Sequence, residues 1–198
     1  MKSIVVASRN PKKAAELRAL LTPLGMRVLT LDQAGVSPVL EVEETGHTFL
    51  QNAFLKANFA STATGLTSVA DDSGLSVCAL NGAPGIYSAR YGAPEAETDA
   101  DRNAFLLRQM QGMSDRRCAF VCALCLIEPY APPRYFEGRC EGELLSAPQG
   151  QNGFGYDPLF YLPERKKTMA ELPAAEKNQI SHRARAMRLL AAYLAKER

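Results

Sequence analysis

Ser3-Ile4-Val5-Val6-Ala7-Ser8, then Arg9-Asn10-Pro11, then Lys12 to Leu21: this opening stretch decides the fold class. The apolar run before Ser8 reads as a short strand. Pro11 suits the first turn of a helix, where its missing N–H has no intrahelical partner to lose. Ala14, Leu17, Leu20 and Leu21 follow at helical spacing. Gly25 closes the helix, and Arg27 to Leu31 reads as the next strand. Strand, helix and strand in such close succession make a sheet with helical cover, which is α/β architecture.

The rest of the chain widens that picture. Thr48 with Gln51 resembles a capping box, opening a helix to about Ala63 whose apolar face is Leu50, Ala53, Phe54 and Ala57. Asn52 and Lys56 lie four apart and project from one side of it. Thr67 to Ala70 and Leu75 to Leu80 read as two strands split by the turn-like group Asp71-Asp72-Ser73-Gly74. A helix is expected over Asp99 to Gln111. Arg117 to Ile127 and Arg134 to Leu145 read as long antiparallel strands joined through Pro129, Pro132 and Pro133. A last helix begins near Ser181 and uses Met187, Leu190, Ala191 and Leu194. The expectation is a mixed α/β (α+β) fold forming a single domain over residues 1–198. An elongated mixed sheet would be flanked by helices, with a ligand cleft between two lobes.

Composition narrows the function. The 198 residues are 46% hydrophobic and 22% charged, which excludes a disordered or fibrous chain. A chain of this length buries roughly 70% of its unfolded surface and needs no disulfide or structural metal to fold. Lys and Arg number 23 against 21 Asp and Glu, a net charge of +2, too small for a protein that lives on a nucleic-acid backbone. No apolar run reaches the ~18 residues of a spanning helix, and the apolar stretch after Met1-Lys2-Ser3 is short for a secretory signal. A cytoplasmic protein with no membrane partner is expected, and the odd count of 5 Cys agrees. Cys118, Cys122 and Cys125 have the spacing of an iron–sulfur ligand set. Alternation along a strand, however, sends Cys125 to the face opposite Cys118 and Cys122, so they read as core thiols.

Four constellations carry potential chemistry. Ser8, Arg9, Asn10, Pro11, Lys12 and Lys13 lie where a strand meets a helix N-terminus, so free N–H groups, the helix dipole and two lysines would together bind a polyphosphate. The same residues also fit a plain N-cap with a solvated basic face. Glu41, Glu43 and Glu44 with Asp71 and Asp72 form an acidic set whose mutual repulsion a hard divalent cation would relieve. A carboxylate among them can also take a proton from water. Gly150 to Pro158 places Phe154, Tyr156 and Asp157 among glycines: an aromatic to stack on a base, a carboxylate to accept from it, and Gly155 to let the backbone approach. The alternative is a turn with core aromatics. Lys177, His182 and Arg183 bring positive charge to a helix N-terminus, where the dipole opposes it unless a ligand acceptor is bound.

Taken in order, these blocks resemble the inosine triphosphate pyrophosphatase family, the dITP/XTP pyrophosphatases. The resemblance rests on Ala7 to Lys13 with Glu16-Leu17, Glu43 to Gly46 with Asn52-Ala53 and Lys56-Ala57, and Ala70 to Leu75. It continues through Gly82 to Tyr91, Gly153 to Pro158, and Lys177 with Ile180 to Arg183. It implies a Mg2+-dependent homodimeric hydrolase that splits ITP, dITP or XTP between the α and β phosphates. It further implies Asp72 as general base and metal ligand, Glu43 as second metal ligand, and Ser73 as a substrate contact. Ser8 to Lys13 would cradle the triphosphate, and Phe154 to Asp157, Lys177, His182 and Arg183 would hold the nucleoside. Glu44 and Lys56 would be accessory charges. Arg9 and Lys12 stand where many members carry glycine. The nearest rival is a Maf-type pyrophosphatase acting on modified or pyrimidine nucleotides, against which Asp71 to Gly74 and Ser181 to Arg183 speak.

Overall fold

In the computed structural model, which describes residues 2–40 and 42–196 and only the backbone of Lys12, strands and helices alternate. The order is β1 (Ser3–Val6), α1 (Pro11–Leu21), β2 (Arg27–Thr30), α2 (Phe49–Thr64), β3 (Thr67–Val77), α3 (Asp99–Gln109), β4 (Arg117–Ile127), β5 (Arg134–Leu144), β6 (Phe160–Leu162), β7 (Lys167–Thr168), α4 (Ala174–Ile180) and α5 (His182–Lys196). Glu41 and the Lys12 side chain lie outside the described residues. The strands hydrogen-bond in the order β2-β1-β3-β4-β5-β6-β7. β1 runs parallel to β2 and β3, whereas β6 is antiparallel to β5 and β7, so the sheet is mixed as expected.

The chain divides into two units. The first takes the chain through Asp72, Cys122–Gly138 and the segment from Arg185 onward; the second takes Ser73–Val121 and Arg139–Ala184. In the first unit β1 alternates faces: Ile4 and Val6 pack with Leu17, Leu21, Leu124, Leu126, Leu190 and Leu194, while Val5 and Ala7 pack with the opposite cluster. That opposite cluster takes α2 through Ala53, Ala57 and Ala60, and side chains this small let the helix lie close. The Ser68 hydroxyl on β3 donates to the Ala57 carbonyl at 2.6 Å, fixing α2 against the strand that carries Asp71 and Asp72. In the second unit, Leu106 of α3 and Met110 just after it join Leu75, Val77, Phe120, Leu144, Tyr156, Leu159 and Phe160.

Two local expectations are corrected. Asp71 to Gly74 is no turn: β3 is continuous through it, and only Cys78–Leu80 leaves the strand, as a 3-10 turn. An acidic pair reads as a turn because charge is rarely buried in a strand, and here Asp71 and Asp72 are both buried beside lysines. The Thr48 box is half formed, since the hydroxyl accepts from the Gln51 N–H while the Gln51 side chain reaches His47 instead of Thr48. The last helix begins at His182, next to Ser181 as expected, and the Ser181 hydroxyl accepts from the Ala184 N–H and so caps α5; the short α4 before it has no counterpart among the sequence expectations. The cysteines are free; Cys125 packs in a different cluster from Cys118 and Cys122, as strand alternation requires, and Cys118 and Cys122, though on one face, join different clusters along β4.

Candidate active site

The first group of chemical side chains belongs to the first unit. Ala7 N–H donates to the Val69 carbonyl at 2.8 Å, so the chain leaves the sheet only at Ser8. The Ser8 hydroxyl accepts from the Asn10 N–H, the Asn10 side chain accepts from the Lys13 N–H, and the Asn10 carbonyl accepts the first helical bond from Ala14. Asn10 is therefore the N-cap of α1, whose first turn holds no acidic residue. Lys13 turns inward, its ammonium 2.8 Å from the buried carboxylate of Asp71. Arg9 turns the other way: its guanidinium donates to Asp32 at 3.0 Å and to the carbonyls of Ser37 and Leu40 at 2.9 and 3.1 Å.

Asp72 sits at the centre of this group. Its Oδ1 is 3.1 Å from the Lys56 ammonium and its Oδ2 accepts from Asn52 Nδ2 at 3.3 Å. Lys56 also meets Glu44 at 2.6 Å, so one ammonium is shared by two carboxylates. Asn52 and Lys56 reach Asp72 together because they are one helical turn apart on α2. Asn52 in turn accepts from the Gly46 N–H at 2.9 Å, tying the loop that carries Glu43 and Glu44 to the same helix. Burial pushes the Asp72 carboxyl above its ordinary range against the pull of Lys56, and Glu44 adds to the rise. Burial pushes the Lys56 amine down, but the carboxylates of Asp72, Asp71 and Glu44 outweigh it and leave the amine above its ordinary value.

The second group belongs to the second unit. The Asp157 carboxylate accepts from the Phe154 N–H at 2.8 Å and pairs with the Lys177 ammonium. Gly153, at φ +81, gives it room, for a Cβ there would lie 2.0 Å from Asp157 Oδ2. The half-exposed Phe154 ring lies under Lys177 Nζ at 4.9 Å and Arg183 Cζ at 6.0 Å. Arg183 donates to the Ser73 hydroxyl at 3.3 Å. Tyr156 is a core residue, its hydroxyl donating to the Ser88 carbonyl at 2.9 Å. The His182 ring stacks on Phe120 at 4.9 Å.

The profile of the Ham1 family matches residues 4–193 of this sequence. The chain belongs to the Ham1 family. It is 50% identical over 194 residues to a dITP/XTP pyrophosphatase of Thermus thermophilus, covering 96% of this chain and 91% of that one. The corresponding protein of an Exiguobacterium strain is 48% identical, with 96% and 95% covered. The solved structure of the Staphylococcus aureus Ham1 protein superposes with a TM-score of 0.92 at 44% identity, all of both chains being covered. A HAM1 protein from Coxiella burnetii gives 0.93 at 43% identity over 99% and 100% of the two chains.

Against this Ham1 background the sequence-predicted residues divide by what they touch. Lys13, Asp72, Lys56 and Glu44 form one charged group around β3 and α2; Phe154, Asp157, Lys177 and Arg183 form another. Glu43 is exposed, and it is Glu44 that shares Lys56 with Asp72. The Arg9 side chain is committed to the 32–40 loop, and Tyr156 and the His182 ring are packed on core neighbours. Sequence reading passed over Asp99 and Asn103, which hold Gly155 from α3. The signal for them was their spacing of four on a predicted helix; nothing in the sequence said what that face meets.

Proposed function

We propose that this chain hydrolyses deaminated purine nucleoside triphosphates, ITP, dITP and XTP, to the monophosphate and pyrophosphate, clearing them from the nucleotide pool. The observation that carries the reading is the buried Asp72 carboxylate, held on both oxygens by Lys56 and Asn52 with Glu44 beside it. The names of the relatives point the same way. Three carboxylates, Glu44, Asp71 and Asp72, face two ammoniums, Lys13 and Lys56, and exposed Glu43 adds a further negative charge. That excess of hard oxygen donors fits Mg2+, which takes one or two carboxylates together with phosphate oxygens and water. Asp72 and Glu43 would hold the ion, with Glu44 alongside. Bound there with the nucleotide, it would supply charge neutralisation at the phosphates.

The chain's own residues account for the remaining steps. Asp72 accepts a proton from water as that oxygen bonds to the α-phosphorus, and the α–β bridging oxygen departs with the pyrophosphate. Burial makes Asp72 a stronger base than an exposed carboxylate. Ser8 and the N-terminal N–H groups of α1, with Lys12 and Lys13, favour the phosphates. Phe154 stacks on the purine, and Ser73 contacts the substrate. The 6-keto oxygen of hypoxanthine or xanthine accepts from Lys177 and Arg183, where adenine would turn an amino group toward donors. A site built to hydrogen-bond one group discriminates against its absence by up to about 10⁴-fold.

The same reading has the protein working as a cytoplasmic homodimer, which light scattering of the purified protein would test. The deciding experiment is product analysis with ITP, dITP, XTP, ATP and GTP, with and without Mg2+. Pyrophosphate from the deaminated purines alone, only with metal, is the expected result. Orthophosphate as product, or equal turnover of ATP, would reject it.

A further inference from the structure

Asp99 and Asn103 occupy one face of α3, a helical turn apart, and both polar groups of a single residue, Gly155, end on them. The Gly155 N–H donates to Asp99 Oδ2 at 2.6 Å and the Gly155 carbonyl accepts from Asn103 Nδ2 at 3.0 Å. Gly155 is the residue after Phe154, and its φ of +61 turns the chain between Phe154 and the core residue Tyr156. Seizing N–H and carbonyl at once fixes the peptide planes on either side, and with them the direction in which the Phe154 Cβ leaves the backbone.

Asn103 is not placed where stability alone would put it, whereas Asp99, in the first turn of α3, also pairs with the Arg102 guanidinium and holds Gly155 with its other oxygen. Asn103 is buried, yet its Oδ1 has no hydrogen-bond partner among the described residues. An amide with half its capacity unsatisfied in a core is unfavourable compared with an aliphatic group of the same size, unless the bond it does make serves another purpose. Asp99 is not needed to cap α3. Thr98 and Asp101 already satisfy each other's backbone N–H groups there.

We propose that Asp99 and Asn103 are positioning residues that clamp Gly155 and so hold the Phe154 ring in the orientation that receives the purine. This rests on the reading of Phe154 as the base platform. Asp157 and Lys177 set the loop from below through the Phe154 N–H, and the α3 pair sets it from the following peptide.

Steady-state hydrolysis of ITP, thermal unfolding and amide exchange at Gly155 test the clamp in the full-length protein. Asp99→Ala and Asn103→Leu raise KM for ITP about tenfold, the equivalent of one lost hydrogen bond, with kcat within about twofold of the parent. Asp99→Asn keeps an acceptor for the Gly155 N–H and restores KM to within about twofold. Asn103→Leu removes the unsatisfied oxygen but also the donor to the Gly155 carbonyl, so its Tm changes little while KM rises, a combination that a merely structural asparagine would not give. The Gly155 amide exchanges faster in Asp99→Ala than in Asp99→Asn. Phe154→Ala separates the two readings. If it raises KM while both clamp variants leave KM unchanged, the clamp is wrong and the platform stands. If Phe154→Ala itself leaves KM unchanged, the platform fails and the clamp with it. Unfolding of both clamp variants assigns the pair to stability and overturns the proposal as well.

Discussion

Asp72 meets two conflicting demands, burial and its charged neighbours, and burial prevails in direction. Burial and the Glu44 charge push the carboxyl's pKa up, while Lys56 pulls it down and Asn52 donates to the other oxygen. A buried carboxylate with a raised pKa beside a shared ammonium serves chemistry better than stability. Asp72→Asn removes the base and the charge while leaving the shape, and Lys56 retains Glu44. Turnover of ITP is expected to fall by about 10²–10⁴, the usual range for a lost general base, with a Tm no lower than the parent's. A Tm drop with activity retained would make Asp72 a structural residue. Lys56 is the opposite case. Lys56→Ala leaves Asp72 and Glu44 without their shared ammonium, and because the pair is only partly buried the loss falls below the roughly 3–5 kcal/mol of breaking a fully buried one. Urea unfolding should show a lower midpoint at unchanged slope. A midpoint equal to the parent's would mean that water replaces the amine without loss.

At the scale of elements, the second group depends on how tightly the 150–157 loop can turn. Gly153→Ala would press a Cβ against Asp157 Oδ2 at a φ open chiefly to glycine. Strain of this kind costs about 1–3 kcal/mol, and here it falls on the carboxylate that holds the Phe154 N–H and Lys177. The expected result is a lower Tm together with a higher KM for ITP; an unchanged KM would separate the loop from the substrate. The elements that the sequence made legible are those whose signal is local. β1, α1 and α2 announce themselves by apolar period, Pro11 and the Thr48 cap, and the pairing of Asn52 with Lys56 follows from helical spacing alone. Legibility ends where a distant partner decides. Asp71 and Asp72 continue β3 because Lys13 and Lys56 come from two helices to meet them, and Arg9 turns away from the loop between β1 and α1 because three acceptors await it between Asp32 and Leu40. α4, β6 and β7 are too short for a periodic pattern, so only the fold reveals them.

The whole molecule contains no disulfide among its five cysteines, and burial rather than pairing protects four of them. Burial pushes the thiols of Cys118 and Cys125 up to about 12 from an ordinary value of 9.0. Raised thiols link stability to alkaline pH in a definite direction. Below 9 the folded and unfolded chains both keep these protons, so the contribution is constant. Above 9 the unfolded chain releases them while the folded chain holds them, so unfolding is increasingly favoured until the folded thiols themselves ionise near 12. The buried Tyr156 hydroxyl, also raised by desolvation, acts in the same sense. Tm should therefore be level from neutral pH to about 9 and decline beyond it, with a shallower decline in the double variant Cys118→Ala, Cys125→Ala, whose methyls have no proton to lose. The same burial predicts that a thiol reagent at neutral pH labels Cys78 alone in the folded protein and all five cysteines only after denaturation. Labelling of Cys118 or Cys125 without unfolding, or a Tm that climbs above pH 9, would mean that the strand interior is open to water, and the alternation that buries these thiols along β4 would have to be redrawn.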